Sequence, residues 1–217
     1  MKTWKKAVKE YYRFNNMGKN DFTYRKYFDP LLEDKDINAL EKSDIAKIKS
    51  GIKGSPGTVN RYLSFFRAVL MYAYEELGWL DNKPVIKQVK VQAMRTKYFT
   101  VEDIKKLHRV LPKHLQKPFV FSLLTGVRMS NCFNLKWEDV KENQIAIDGV
   151  ETKNGRSLCV PINQKCRELL ESIEKKSPYV FTYAGRKISR ASNTGWYNAL
   201  KKAGLEGFRW HDIRHTW

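Results

Sequence analysis

Apolar residues in the first half of the chain recur at helical spacing, and segments rich in glycine, proline or aspartate separate the patterns. The spacing predicts three short helices, over about residues 3–14, 23–32 and 42–48. The clearest pattern follows a glycine-rich break at residues 51–57 and runs from Val59 to Leu77, where Gly78 ends it. These periods predict a helical N-terminal region.

The second half mixes helical and strand patterns. Thr100 precedes an acidic turn, which predicts a helix N-terminus, and a buried helix over residues 118–124 should end at Thr125-Gly126. Alternation predicts strands over residues 144–147, 150–153 and 157–162, with tight turns at Asp148-Gly149 and Asn154-Gly155. Helices should resume over about residues 164–175 and 192–203, the second ended by Gly204. We therefore expect an α+β fold that is mainly α with a small antiparallel sheet.

A connector without clear periodicity separates the two halves. Residues 84–97 carry spaced lysines and end in Arg95-Thr96-Lys97. We predict a helical domain over residues 1–90, a linker over 91–98 and a second domain over 99–217. A basic linker can lie along an anionic backbone, although a charged connector is more often simply solvated.

The net charge of the chain indicates which classes of molecule it could bind. The chain has 41 basic and 23 acidic residues, a net charge of +18, divided as +9 on each side of Tyr98. Small soluble domains usually carry a net charge of about 2 to 8, so the excess indicates a polyanion such as nucleic acid. An RNA-binding or ribosome-associated protein is an alternative. No apolar run approaches the roughly 18 residues that span a bilayer, so no membrane partner is expected.

The cysteines indicate neither disulfides nor a metal site. Cys132, Cys159 and Cys166 are odd in number and form no C-x-x-C pair. We interpret them as buried or incidental thiols, and expect no bound metal.

The last seven residues carry the strongest chemical signal. On a helix, His211, Arg214 and His215 lie at positions i, i+3 and i+4 and can converge on one phosphate. A basic helix end exposed to solvent is the alternative. His211 and His215 also have the spacing of a zinc-protease motif, but Asp212 stands where that motif has glutamate, and no third ligand follows.

Three motifs together resemble the tyrosine recombinase (phage integrase) family. Thr125-Gly126-Val127-Arg128, followed by Leu135-Lys136-Trp137-Glu138-Asp139, resembles its first arginine motif. Thr152-Lys153-Asn154-Gly155 is similar to its β-hairpin lysine, and residues 211–215 to its His-x-x-Arg-His box. Residues 60–80 resemble the last long helix of the core-binding domain, and residues 97–100 the start of the catalytic domain. The resemblance covers nearly the whole chain, and the order of the motifs makes it specific.

The resemblance implies a site-specific DNA recombinase or integrase, of the kind that integrates phage and other mobile DNA. It would break and rejoin duplex DNA through a 3′-phosphotyrosyl intermediate, without metal or cofactor. Arg128 and Arg214 would clamp the scissile phosphate, and Lys153 would protonate the 5′-hydroxyl leaving group. His211 would assist proton transfer, while His215 would pack and orient the site.

Partners also follow from the resemblance. Two lobes would form a clamp on double-stranded DNA, with a tetramer on DNA in the full-length protein, in the bacterial or phage-host cytoplasm at the nucleoid. The expected DNA contacts are Thr58, Asn60, Arg61, Arg95 and Lys97. Arg61 falls nearly opposite the apolar stripe of its helix, so it is as consistent with a solvated arginine as with a phosphate contact.

Two departures from the family pattern limit the expectation. Asn131 stands where many relatives have an acidic residue, and its amide can still hydrogen-bond a neighbour. The family's nucleophilic tyrosine lies after the box, so we expect it beyond Trp217, in a catalytic domain that is C-terminally incomplete here. Three tyrosines precede the box and are assigned to packing: Tyr179, Tyr183 and Tyr197. The chain as given should therefore bind DNA without cleaving it alone. The alternative is a non-catalytic DNA-binding protein that acts as a repressor or competitor.

Overall fold

The computed structural model describes residues 1–32, 34–92, 97–147, 157–191 and 194–217. The chain divides into two compact units, Met1–Ala93 and Met94–Trp217, each with its own hydrophobic core. The division falls inside the segment expected to be a linker, and the functional assignment of the two units remains a prediction. No described helix is long and apolar enough to cross a bilayer.

The first unit is helical in its described residues. Its helices are α1 (Trp4–Phe14), α2 (Asp21–Leu32), α3 (Lys42–Gly51) and α4 (Pro56–Glu75), with a 3₁₀ turn at Ile37–Ala39. Each of the predicted helices is present, with bounds that differ by a few residues at the ends. The N-terminal region is therefore helical as predicted.

Local sequence explains the bounds of α4. Ser55 accepts a hydrogen bond from the Thr58 backbone N–H, and Pro56 occupies the first helical position, so the helix begins before Thr58. The helix ends at Glu75 because Gly78, with φ +59°, reverses the chain, and the Trp79 N–H then donates to the Ala73 carbonyl.

Aromatic rings fill the core of the first unit. Trp4 is buried and its ring lies within 6.2 Å of the rings of Phe28, Phe65 and Phe66. Its indole N–H donates to Asp29 at 3.0 Å, which satisfies the one polar group that the ring carries inward.

A side-chain clamp holds the segment after α4 against that helix. The Asn60 amide donates to the Val89 carbonyl at 2.9 Å, and the Val89 N–H donates to the Asn60 side-chain oxygen at 2.7 Å. Both polar groups of the amide are thus paired with one backbone residue.

The second unit combines helices with two small sheets. Its helices are α5 (Val101–Val110), α6 (Lys113–Thr125), α7 (Met129–Asn134), α8 (Gln164–Glu171), α9 (Thr194–Ala203) and α10 (Asp212–Thr216). Its strands are β1 (Gln144–Ile147), β2 (Leu158–Pro161), β3 (Thr182–Tyr183) and β4 (Arg186–Lys187). The fold is mainly α with small antiparallel sheets, so the predicted fold class is confirmed.

Two antiparallel pairs make up the sheets. β1 pairs with β2, with Gln144 opposite Pro161, and β3 pairs with β4, with Tyr183 opposite Arg186. The predicted turns and the strand over residues 150–153 lie outside the described residues.

Some predicted helix bounds were wrong for local reasons. α6 begins at Lys113 and carries Pro118 inside it, whereas the proline was interpreted as its first residue. α8 ends at Glu171 instead of continuing to Lys175, because Ser172 donates back to the Leu169 carbonyl and Lys117 caps the Ser172 carbonyl.

Helix packing brings the ends of two elements together. α6 packs against α7, α8 and α10, while α5 packs against α9. The chain that leaves α6 therefore lies beside α10, which carries the His-x-x-Arg-His residues.

Candidate functional site

The turn after α6 positions Arg128. Gly126 caps the helix with φ +60° in the left-handed region, which glycine adopts without strain, and its N–H donates to the Ser122 carbonyl. Val127 is buried, and Arg128 follows as the N-terminal cap of α7, where its side chain is half-buried. A buried residue next to the turn thus anchors the arginine at the surface.

Buried residues likewise fix the position of α10. Trp210 and Ile213 lie in the core, and the Asp212 carboxylate accepts a hydrogen bond from the Arg209 backbone N–H at 2.7 Å. His211, Arg214 and His215 occupy the exposed side of the same segment. The predicted single face is therefore present, although His211 is the N-terminal cap and not inside the helix.

A hydrogen bond joins the two motifs. The Arg214 guanidinium donates through Nη1 to the Gly126 carbonyl, across 88 positions of sequence. Arg128 lies close enough to His211 to lower the pKa of that imidazole. The rings of His211 and His215 meet edge to face, with centroids 5.1 Å apart. The structure thus brings together Arg128, His211, Arg214 and His215.

The surroundings of His211 favour its neutral form. Partial burial lowers its pKa most, and the positive charges of His215, Arg214 and Arg128 lower it further, against an opposing effect of Asp212. A neutral imidazole can accept a proton at physiological pH. The cluster therefore combines two permanent cations with a proton acceptor, which suits a phosphate and a group that attacks it.

Trp217 covers the glycine that accepts from Arg214. A Cβ atom at position 126 would lie 2.6 Å from Cδ2 of the Trp217 ring. Position 126 therefore requires glycine for two reasons, its backbone conformation and the ring above it.

Thr216 fastens α10 to the start of the second unit. Its hydroxyl accepts from the Phe99 N–H at 2.9 Å and donates to the Asp212 carbonyl at 2.9 Å. Sequence reasoning missed this contact and the Gly126 carbonyl. Their only signal was proximity to the motifs, because a backbone acceptor has no residue type of its own.

Two further residues were expected at the site, Lys153 and Asn131. Lys153 lies outside the described residues. Asn131 is buried in the first turn of α7, where its side-chain oxygen faces the Ser130 hydroxyl at 3.4 Å and its amide nitrogen has no hydrogen-bond partner in the described part of the chain.

The expected DNA contacts of the first unit differ in their surroundings. Arg61 is exposed and lines a groove with Tyr11 and Tyr24. Thr58 shares a hydrogen bond with the Ser55 hydroxyl, and Asn60 is occupied by its clamp to Val89. Among the residues that the structure describes, Arg61 has no hydrogen-bond or ion-pair partner, whereas Thr58 and Asn60 are engaged.

Of the two contacts expected near the linker, Arg95 lies outside the described residues. The Lys97 ammonium lies over the Phe208 ring, 5.1 Å from its centroid, and so packs against the loop before α10. The ring can hold the cation while the ammonium keeps its exposed side available.

The tyrosines before the box are not uniformly packed. Tyr179 packs beneath the Lys187 ammonium, and one face of Tyr183 stacks on His114. Tyr183 and Tyr197 are nevertheless 61% and 57% exposed, so neither is packed into the core as the assignment expected. A tyrosine on the outer face of an amphipathic helix has no sequence signal that separates it from a packed one.

Two of the three cysteines are buried and one is exposed. Burial raises the pKa of Cys132 to about 12 and that of Cys166 to about 11, while Cys159 is exposed. Among the described residues, no group of three or more His, Cys, Asp or Glu side chains is arranged to hold a metal ion.

Sequence comparison places the chain among known proteins. Residues 95–217 match the family model described as the phage integrase family. The integrase of Salmonella phage P22 is 33% identical over 172 residues, which are 72% of this chain and 44% of that protein. The shufflon-specific DNA recombinase of Escherichia coli is 26% identical, over 83% of this chain and 48% of that protein. The chain spans about half of the length of these relatives.

Structural comparison agrees with the sequence matches. A lambda integrase dimer bound to a COC′ core site aligns with a TM-score of 0.77, at 16% identity, over 98% of this chain and 84% of that one. XerH site-specific recombinase bound to a palindromic difH substrate aligns with a TM-score of 0.63, at 16% identity, over 91% of this chain and 63% of that one.

Proposed function

This chain belongs to the phage integrase family, whose model matches more than half of its residues, and we propose that it is part of a site-specific DNA recombinase. In the whole protein, the substrate is duplex DNA and the reaction breaks and rejoins a phosphodiester bond through a 3′-phosphotyrosyl intermediate. The names of the matched relatives, an integrase and a DNA recombinase, support this activity.

The observation that carries the proposal is the convergence of Arg128, His211 and Arg214. Two arginines from distant parts of the sequence lie near the His211 imidazole, whose pKa is lowered. The hydrogen bond from Arg214 to the Gly126 carbonyl connects the segment of the second arginine to the turn that precedes the first. Fixed cations stabilise the charge that develops on a pentavalent phosphate, and they need no reorganisation as the charge grows.

The proposed reaction assigns a role to each side chain. Arg128 and Arg214 bind the scissile phosphate, and His211 accepts the proton of the attacking tyrosine hydroxyl. The new bond joins the tyrosine oxygen to phosphorus, and the bond from phosphorus to the 5′-oxygen breaks. Lys153 gives a proton to that oxygen, which leaves as a 5′-hydroxyl. His215 supports the His211 ring, and the buried Asn131 supports the turn that carries Arg128.

The nucleophile and the assembly belong to the longer protein. The family's order places the tyrosine after the His-x-x-Arg-His box, so the reading frame beyond Trp217 is the place to look for it. Lambda integrase has been solved as a tetramer on a Holliday junction, which supports a tetramer on DNA here. A protein with this substrate would act in the cytoplasm, at the nucleoid of a bacterial or phage-host cell.

The test uses the protein extended beyond Trp217 and a duplex with a nick that traps the covalent intermediate. In EDTA, we expect a protein–DNA adduct that resists detergent. Arg128→Ala and Arg214→Ala should each lower the adduct yield by about 100-fold or more, because each removes a fixed cation from the transition state. Arg209→Ala, an exposed arginine two residues before His211, is the matched control and should retain the yield.

Two outcomes would contradict the proposal. Strict dependence on a divalent metal would favour a nuclease. DNA binding without any adduct, in a protein that contains the downstream tyrosine, would favour a repressor or competitor of recombination.

A further inference from the structure

A basic groove lies at the end of α6 opposite to the candidate active site. It has a volume of about 490 Å³ and is lined by His114, Tyr183, Ala184 and residues 186–190. His114 lies in the first turn of α6 and Gly126 caps the other end, so the two sites are separated by about 18 Å along the helix axis at 1.5 Å per residue. The groove is therefore separate from the cluster of Arg128 and Arg214.

A supported aromatic ring forms one wall of the groove. Tyr183 stacks on His114, with ring centroids 4.2 Å apart and an angle of 35° between the planes. Burial lowers the pKa of His114, which favours the neutral imidazole, and its ring supports Tyr183 by packing. Tyr183 remains 61% exposed, which leaves its hydroxyl available as a hydrogen-bond donor.

A tight hairpin places an arginine beside that tyrosine. Tyr183 and Arg186 are directly opposite in the β3–β4 pair, and opposite residues in an antiparallel pair project from the same face. The turn between them uses Ala184 at φ +49° and Gly185 at φ +73°, the left-handed conformations of the tightest two-residue hairpins. The short turn fixes the register, so Tyr183 and Arg186 project from the same face of the hairpin.

The groove concentrates positive charge. Arg186, Lys187 and Arg190 fall within five residues, and among the residues that the structure describes no carboxylate lines the groove. Arg186 and Arg190 are exposed and form no ion pair within the described part of the chain. Lys187 also lines the groove, and its ammonium lies over the Tyr179 ring. Mutual repulsion of these cations is relieved when an anion binds between them.

We propose that this groove is a second phosphate site, which holds the backbone of the same duplex DNA at a distance from the scissile phosphate. Arg186 and Arg190 bind phosphate oxygens, and the hydroxyls of Tyr183 and Ser189 donate to them. Arginine, tyrosine and serine are among the side chains that commonly contact DNA phosphates. The proposal rests on DNA being the partner. It favours a backbone over a free nucleotide because Arg186 and Arg190 are both exposed at the groove and can each bind a different phosphate.

Binding measurements on the full chain test the proposal. Its affinity for a fluorescent duplex of several helical turns is measured by anisotropy over a series of KCl concentrations. Arg186→Ala/Arg190→Ala should weaken binding by about tenfold and flatten the slope of log K against log[KCl] by about 2, since each lost phosphate contact removes about 0.9. Tyr183→Phe, which keeps the ring, should weaken binding by about threefold because it loses one donor.

The matched control removes equal charge elsewhere. Lys105→Ala/Lys106→Ala deletes two exposed cations on α5. The slope of log K against log[KCl] should change by no more than about half of the contribution of one phosphate contact, because these lysines are expected to release no counterions from DNA. If the control variant and the groove variant change the affinity and the salt slope equally, the proposal is overturned. If the parent chain does not bind duplex DNA at all, the proposed function fails first, so the two failures are distinguishable.

A chemical measurement avoids substitution altogether. Phenylglyoxal modifies accessible arginines, and mass spectrometry reports each site. Duplex DNA should protect Arg186 and Arg190 several-fold relative to Arg109, an exposed arginine on α5. Inorganic phosphate or a mononucleotide at the same phosphate concentration should protect them weakly. Equal protection by a mononucleotide would identify a free-nucleotide site and overturn the backbone assignment.

Discussion

At position 126 the backbone conformation determines the geometry of the candidate site. The Gly126 carbonyl accepts from Arg214, its φ is +60°, and the Trp217 ring occupies the space that a Cβ would need. Any side chain at this position would disturb the contact that orients Arg214. The glycine of the Thr-Gly-Val-Arg motif is thus explained by physical contacts in this chain.

Gly126→Ala should lower the free energy of unfolding of the second unit by about 2–4 kcal/mol, from left-handed strain and overlap with the Trp217 ring. Gly204→Ala is the matched control, since Gly204 has φ +71° with open space around it, and it should lose only about 1 kcal/mol. Urea unfolding measures both. In a Trp217→Ala background the excess cost at position 126 should disappear, and its persistence would refute the role of the ring.

Two histidines make stability depend on pH. Folding lowers the pKa of His114 and of His211 below the ordinary value of 6.5, so the unfolded chain binds protons more readily. Their contribution is complete above pH 6.5 and is lost as the pH falls below 6.5 towards the folded pKa values. The free energy of unfolding should therefore decrease on acidification from neutral pH.

Chemical denaturation at a series of pH values measures this decrease. His114→Gln and His211→Gln should each flatten the profile below pH 6.5, and the double variant should flatten it most, because glutamine does not titrate. A profile unchanged in the double variant would show that other groups control the acid response.

At the scale of elements, variants of Asn60 can distinguish a structural role in the clamp to Val89 from a direct contact with DNA. Asn60→Ala removes both hydrogen bonds to Val89, and should lower the free energy of unfolding of the first unit by about 1–3 kcal/mol because a half-buried backbone pair loses its partner. Asn60→Asp keeps the acceptor for the Val89 N–H but places a carboxylate oxygen against the Val89 carbonyl, so it should lose at least as much as Asn60→Ala.

The readout is urea unfolding together with duplex affinity. If Asn60 acts only through the clamp, affinity per folded molecule should stay within about twofold of the parent, well below the loss expected for a direct contact. A large loss of affinity without loss of stability would instead assign Asn60 to the DNA surface, as the sequence suggested.

Elements with several agreeing signals were predictable from sequence. α5 combines a Thr100 cap with an acidic first turn, and the structure shows a capping box between Thr100 and Asp103. The β3–β4 pair has only two residues in each strand, too few for alternation to be visible, and α7 has only six residues. The site was predictable through its charged motifs, whereas its backbone acceptor at Gly126 had no sequence signature.

For the whole molecule, charge predicts how binding responds to salt. The net charge of +18 is shared equally between the two halves of the chain. If six or more phosphates are neutralised, the affinity for duplex DNA should fall by about 1000-fold or more between 50 and 200 mM salt, because counterions are released on binding. Anisotropy titrations measure this, and a binding constant that stays flat over that range would contradict a DNA-binding clamp.

Thr216 also gives the second unit a mechanical property. The chain enters this unit through Lys97 and Phe99. The Lys97 ammonium lies over the Phe208 ring, and the Phe99 N–H donates a hydrogen bond to the Thr216 hydroxyl. Tension applied along the incoming chain should therefore reach the core through the buried Phe99 and the short helix that carries Arg214 through Thr216. Thr216 lies two residues after Arg214, so a pull of that kind would reach this arginine within one helical turn.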